Sequence, residues 1–331
     1  MQLIATQGLE QFNVPAFYTE RGYTNIRIPG IAALDSGRLL CCYECRRGGD
    51  WSAIDIGMQI SDDGGQTWSD TRIIADGKGR CACNNPVLIP DGDMLYFLYC
   101  ENYKRLFLCQ STDGGLHFSD PVELTGQIDR QMNGRFWSVL AVGPGHGVAM
   151  PDHSLFVPMW FGCNKRDMFA HHPSFIAVLR IKPGAEADLS RTIGDAILTD
   201  PSECCIAALP DGRLVLNIRN ENPDRRRAVS FGDPAGNTWS EPEFADALPD
   251  PVCMAGMCGC GDGLLFTNCA NENARSDLTL RKLTAECRVD DSVLVSSDGG
   301  YSDVWYSHAD GTACVVYENG TGHIQTALVR I

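Results

Sequence analysis

The chain has 331 residues, 44% of them hydrophobic, with 42 acidic against 27 basic side chains and a formal net charge of −15. That is ample material for a large core, and a field of this sign disfavours nucleic acid and anionic membrane surfaces. It also repels an anionic substrate overall, so recognising one demands a local cluster of arginines.

No apolar stretch has the length of a membrane span. The opening Met1-Gln-Leu-Ile-Ala-Thr-Gln-Gly8 lacks the basic and apolar regions of a leader. Sixteen cysteines fall mostly within apolar strand patterns, as at Cys41-Cys42 and Cys204-Cys205, and suit small buried hydrophobes. The expectation is a cytoplasmic protein with reduced thiols. Cys81-Ala-Cys83, His146 and His171-His172 lack metal-ligand spacing, and the histidines read as loop or core polar groups. Arg225-Arg-Arg227 reads as a solvated strand start.

Along the chain, helix-period patterns are nearly absent and strand-length apolar runs dominate. The first, around Ile26-Arg27-Ile28-Pro29, sets a permanent charge among β-formers. A buried arginine is costly unless an anion meets it. Runs follow at 38–43 and 54–60, with a Gly-rich loop carrying Asp50 between them. Further runs fall at 86–89, 94–100, 106–110, 139–142, 154–160, 175–181, 205–209, 213–218, 228–230, 264–267, 278–283, 312–317 and 324–331. Turn signals punctuate them at Asp35-Ser-Gly37, Pro90-Asp-Gly92, Pro151-Asp-His153, Pro210-Asp-Gly212, Gly261-Asp-Gly263 and Ala309-Asp-Gly311. The segment from Ala185 to Ser190 reads as a short loop helix.

Ser61-Asp-Asp63-Gly-Gly65-Gln-Thr67-Trp68 has a counterpart in Ser111-Thr-Asp113-Gly-Gly115-Leu-His-Phe118. A third version, one residue longer, runs from Ser230 through Asp233 to Trp239. Each is an Asp box, a hairpin turn whose Asp accepts backbone bonds and whose aromatic packs beneath the sheet. Six hairpins and repeats of about 50 residues predict an all-β, six-bladed β-propeller, one domain over 1–331.

Arg27-Ile-Pro followed by Asp boxes resembles the exo-α-sialidase (neuraminidase) family. The resemblance extends along nearly the whole chain. It continues through Gly143-Pro-Gly-His-Gly147, Ser202-Glu203, Asn217-Ile-Arg219, Asp250-Pro-Val-Cys253, Asn273-Ala-Arg275, Gly300-Tyr301-Ser302-Asp303 and Val316-Tyr-Glu318-Asn-Gly320, in that order.

What the resemblance implies is a retaining hydrolase of sialylated glycans with no metal or organic cofactor. Arg27, Arg219 and Arg275 would clamp the substrate carboxylate, with Glu318 orienting Arg27. Tyr301 would be the nucleophile, as in sialidases generally, and Glu203 would draw off its proton. A neutral phenol avoids the repulsion that an ionised carboxylate nucleophile would meet at an anomeric carbon bearing a carboxylate. Asp50 would be the acid and base, and Arg46 would meet the 4-hydroxyl. Arg47 stands as a rival to Arg46, and Asp55 as a rival to Asp50. Gly299-Gly300 would free the backbone to present Tyr301. The alternatives are a hydrolase or trans-glycosidase for a related 2-keto-3-deoxy sugar acid of the Kdn or Kdo type, or a non-catalytic Asp-box propeller. The sequence leaves the oligomeric state open.

Overall fold

Short apolar runs with polar turns every few residues can satisfy their backbone only by pairing with their sequence neighbours. In the computed structural model, which describes residues 1–9, 18, 20–193 and 198–331, they do so as six antiparallel sheets. The first blade runs Asn25–Ala33, Leu39–Arg46, Ile54–Ser61 and Arg72–Ala75, from the inside outward. The second blade begins at Cys83–Asp91, the third at Val139–Val142, the fourth at Cys204–Ala208, the fifth at Gly256–Cys260 and the sixth at Ser302–Ser307. Gly145–His146 adds a short parallel strand inside the second blade, and Val148–Ala149 pairs within the third.

Closure comes from the two ends of the chain. The N-terminal strand Gln2–Gly8 is the outermost strand of the sixth blade, antiparallel to Ile324–Arg330 with Gln2 opposite Arg330. Pairing the first strand onto the last blade ties the ring shut without an open sheet edge between them.

The second strands carry the core. All eight residues of Leu39–Arg46 and of Leu155–Gly162 are buried, which matches sheets packed on both faces. The cysteines are free thiols, buried except for Cys81 and Cys163. The Asp boxes join third to fourth strands on the outer rim. Asp63 accepts from the Thr67 backbone (2.8 Å) and hydroxyl (2.6 Å), Gly65 N–H donates to Ser61 Oγ (2.9 Å), and Trp68 is buried. Asp113 accepts from His117 N–H at 2.9 Å in the same way.

The outer strands escape a reading by apolar runs. Arg72–Ala75, Val122–Glu123, Glu243–Pro249 and Val289–Asp298 are largely solvated, so they present no apolar run. The expected helix at 185–190 is absent. Asp188–Ile193 is the fourth strand of the third blade, where an open edge needs a partner and Asp188 locks onto Arg180 at 2.7 and 2.9 Å. A helix does occur at Thr125–Gln131, fixed by buried Leu124, Ile128 and Met132 between the second and third blades. Arg227 is another departure. It is fully buried rather than solvated, its guanidinium donating to Asp250 (3.0 Å), Asn217 Oδ1 (2.7 Å) and the Cys253 carbonyl (2.8 Å).

Candidate active site

The inner strands start at one end of the ring, and the Arg-Ile-Pro segment lies there. Pairing on the first strand jumps from Arg27–Glu44 to Gly30–Cys42, leaving Ile28 and Pro29 as a bulge. Pro29 has no N–H to lose, and Ile28 sits at φ 61°, a conformation that costs a β-branched residue energy. The N–H freed by the bulge is not wasted. Ile28 donates to Glu318 Oε1 at 2.8 Å. Arg27 donates to the same carboxylate from Nε (3.0 Å) and Nη2 (2.9 Å), and Tyr301 N–H adds a fourth bond at 3.2 Å. One carboxylate from the sixth blade thus holds the bulge, the guanidinium and the backbone of Tyr301.

Gly300 is required for that approach. A Cβ there would sit 2.7 Å from Glu318 Oε2. Neither Gly299 nor Gly300 takes a positive φ, so the glycines act through close contact and not through the backbone freedom expected of them.

Tyr301 is buried, with its phenol oxygen 2.7 Å from both carboxylate oxygens of Glu203, to which it donates. Arg219 Nη1 donates to the same phenol oxygen at 2.9 Å and pairs with Glu203. Burial, then the Glu203 charge, pushes the phenol well above its ordinary range, while Arg219, Arg275 and Arg27 pull it back. The guanidinium carbons of Arg27 and Arg275 lie 4.9 and 5.1 Å from the Tyr301 ring centre. Three arginines from three blades therefore surround one phenol. Their commitments differ. Arg27 Nη1 and Arg219 Nη2 have no hydrogen-bond partner among the described residues, and Arg275 pairs with no carboxylate there.

Across the cleft, Arg46 is held by two carboxylates. Its Nε donates to fully buried Glu44 at 2.6 Å, and its Nη1 meets Asp50 at 2.5 Å. Burial keeps the Glu44 carboxyl above its ordinary value despite Arg46. Asp50 goes the other way. Burial opposes its ionisation, but Arg46, Arg27 and His171 outweigh that and hold it below the ordinary carboxylate value. Its side chain remains 44% exposed. The rivals lie elsewhere. Arg47 turns to Asp55 (2.8 Å) and over the Tyr23 ring, and Asp55 is buried, also accepting from Tyr23 (2.5 Å) and Gly77 N–H (2.8 Å).

Arg27, Arg46, Asp50, Glu203, Arg219, Arg275 and Tyr301 line one cleft, and Glu318 stands behind Arg27. Ile28, Tyr103, Trp160, His171, His172 and Ser202 complete its wall, and the sequence alone gives none of them a role in the site. His171 packs among Trp51, Tyr103 and Trp160, and burial lowers its pKa against the pull of Asp50 and Glu203. Trp160 Nε1, His171 Nε2 and Ser202 Oγ are buried without a hydrogen-bond partner among the described residues. A ligand rich in hydroxyls or amides would satisfy them. Among the described residues, no group of three or more His, Cys, Asp or Glu side chains is placed to hold a metal.

The family model for the BNR repeat-like domain matches residues 35–311. A sialidase of Bacteroides fragilis is 26% identical over 92% of this chain, which spans 62% of that relative's length. Among solved structures, the Hadza microbial sialidase Hz136 superposes with a TM-score of 0.80 at 24% identity, covering 94% of this chain and 67% of that one. A Trypanosoma rangeli sialidase in complex with 2,3-difluorosialic acid, described as a covalent intermediate, gives 0.71 at 19% identity over 92% of this chain and 54% of that one. Six blades, Asp boxes on their outer hairpins and a family match across most of the length lead to one assignment: the chain belongs to the sialidase family of BNR-repeat propellers.

Proposed function

We propose that the chain is a retaining exo-α-sialidase that releases terminal α-linked sialic acid through a covalent bond to Tyr301. The observation that carries this reading is the phenol of Tyr301 clasped between Glu203 and Arg219 inside a ring of three arginines with uncommitted N–H groups.

The chemistry follows from those contacts. The substrate carboxylate binds to the open N–H groups of Arg27, Arg219 and Arg275, each pair charge-assisted. That fixes the anomeric carbon above Tyr301. The phenol oxygen attacks that carbon, and its proton passes to Glu203, already at 2.7 Å. Its raised pKa keeps the phenol neutral until that moment, so the nucleophile itself brings no charge against the substrate carboxylate. Asp50 donates a proton to the departing glycosidic oxygen. In the free protein Asp50 is ion-paired with Arg46 and ionised. Binding an anion and expelling water would raise its pKa, while Arg46 turns to the sugar's 4-hydroxyl. In the second half, Asp50 takes a proton from water, the water oxygen bonds to the anomeric carbon, and the Tyr301–carbon bond breaks. Glu203 returns the proton to the phenolate.

The test is a 3-fluoro sialosyl fluoride, whose glycosyl-enzyme breaks down slowly. Mass spectrometry of peptides should place the adduct on Tyr301, and Tyr301→Phe should abolish it. An adduct on Asp50 or Glu203 would overturn the roles. Running the same trap and a release assay with Kdn and Kdo analogues identifies the sugar acid. Binding with neither adduct nor release on any of them would mark a lectin.

A further inference from the structure

The mechanism above uses Tyr301 but neither Asp303, two residues on, nor the segment Gly143-Pro-Gly-His-Gly147. The fold brings these two together among the inner strands. Asp303 is 1% exposed and His146 5%. Asp303 Oδ2 accepts from His146 Nδ1 (2.9 Å) and from Ile31 N–H (3.0 Å), and its Oδ1 accepts from Val304 N–H (2.9 Å). The His146 ring meets Trp305 edge to face at 5.5 Å, which fixes its direction. Glycines make room for the pair. A Cβ on Gly145 would sit 3.1 Å from Asp303 Oδ2, one on Gly256 2.6 Å from Oδ1, and one on Gly30 2.5 Å from the Gly145 carbonyl. The first, second, fifth and sixth blades thus close around one carboxylate.

A buried carboxylate is costly unless hydrogen bonds meet it, and apolar side chains would fill the same space without that cost. What the polar pair adds is direction, because a hydrogen bond weakens steeply as its angle closes and apolar packing does not. The bonds bear on the site. Ile31 lies just beyond the bulge that follows Arg27, and Asp303 opens the sixth blade's inner strand just after Tyr301. Glu318 bridges the two segments at the bulge, through the N–H groups of Ile28 and Tyr301. Asp303 bridges them again three residues further on, at Ile31. A single tie would let the strands pivot about it. Two ties set where the Tyr301 phenol stands relative to the Arg27 guanidinium.

Resting on the exo-sialidase reading, we propose that His146 and Asp303 are a positioning pair for the reaction, holding the first and sixth inner strands so that Tyr301 is aimed at the carbon whose carboxylate the arginines grip. His146 acts by keeping the Asp303 carboxylate turned to Ile31, and neither side chain touches the sugar.

The experiment separates the hydrogen bond from the ring that carries it. His146→Phe keeps a ring against Trp305 without the donor, His146→Ala removes both, and His146→Asn keeps an N–H in the place of Nδ1 without the ring. Urea unfolding gives the folded fraction of each, and rates are counted per folded molecule. At saturating 3-fluoro sialosyl fluoride, adduct formation on Tyr301 should slow by about tenfold or more in His146→Phe and His146→Ala, and stay within about threefold of the parent in His146→Asn. Affinity for free sialic acid, read by calorimetry, should stay within about twofold in all three, because aim matters to the transition state more than to the ground state. If one of the two variants lacking the donor does not fold, the other carries the comparison. The reverse order, with His146→Phe near the parent and His146→Asn slowed, would reduce His146 to packing and overturn the proposal. Equal rates in all three would overturn it too. An adduct that forms as fast without the donor leaves the exo-sialidase reading standing. No adduct on Tyr301 in the unsubstituted protein would sink that reading, and the positioning pair with it.

Discussion

Glu318→Gln tests the centre of the site without changing its volume. The carboxylate accepts four hydrogen bonds, two on each oxygen: Arg27 Nε and Ile28 N–H on Oε1, Arg27 Nη2 and Tyr301 N–H on Oε2. An amide keeps one acceptor and turns the other into a donor. Whichever way it is oriented, two N–H groups lose their acceptor and face another N–H. Leaving buried donors unsatisfied costs about 1–3 kcal/mol, and removing one partner of a buried ion pair costs about 3–5 kcal/mol. Arg27 keeps 27% of its side chain exposed, so water recovers part of this. The expected loss is about 2–4 kcal/mol, a large share of a typical stability of about 5–15 kcal/mol. Urea unfolding with a constant m-value measures it. Because the same carboxylate positions Arg27 and the Tyr301 backbone, kcat/KM should also fall, by about a hundredfold or more. A variant within about 0.5 kcal/mol of the parent, with unchanged kinetics, would refute the claim that Glu318 organises the site.

Arg275→Lys should sharply reduce turnover with little effect on unfolding, since Arg275 has no carboxylate partner among the described residues and lysine cannot make the planar fork; equal processing of the substrate and its methyl ester would remove the clamp altogether. Asp63→Ala should lower stability by about 1–2 kcal/mol through its lost turn bonds while leaving kcat/KM unchanged, because the Asp box is on the outer rim. Asp55 carries a pH signature. Burial raises its pKa, but Arg47, Tyr23 and Gly77 N–H together hold it below the ordinary value of about 3.9. Its contribution is complete above that value and is lost as pH falls through the lower folded one. Unfolding free energy should therefore drop more steeply below about pH 4 in the parent than in Asp55→Asn; parallel curves would show that Asp55 does not titrate in this way.

The sequence by itself determined whatever depends on a few consecutive residues. The Asp boxes are legible because their hydrogen bonds run between positions two to four apart, as from Ser61 to Gly65 and from Asp63 to Thr67. The six hairpins follow from turn chemistry, and the inner strands of the first four blades from apolar runs; those of the fifth and sixth, Gly256–Cys260 and Ser302–Ser307, show no such run. Only the tertiary structure decided which neighbouring charge enters the cleft. Arg46 and Arg47 point to opposite sides, as adjacent residues at a strand end do, and which side is the cleft depends on how blades one and two pack. Buried Glu44, two residues before Arg46 and on its side, holds that guanidinium, yet reads locally as one more strand residue. The same limit hid Arg227, whose partner Asp250 lies 23 residues on. It also hid the wall of Tyr103, Trp160, His171 and Ser202, and the meeting of Trp51 with Phe169. Those side chains come from several blades, and ring closure, a property of the whole chain, brings the blades together.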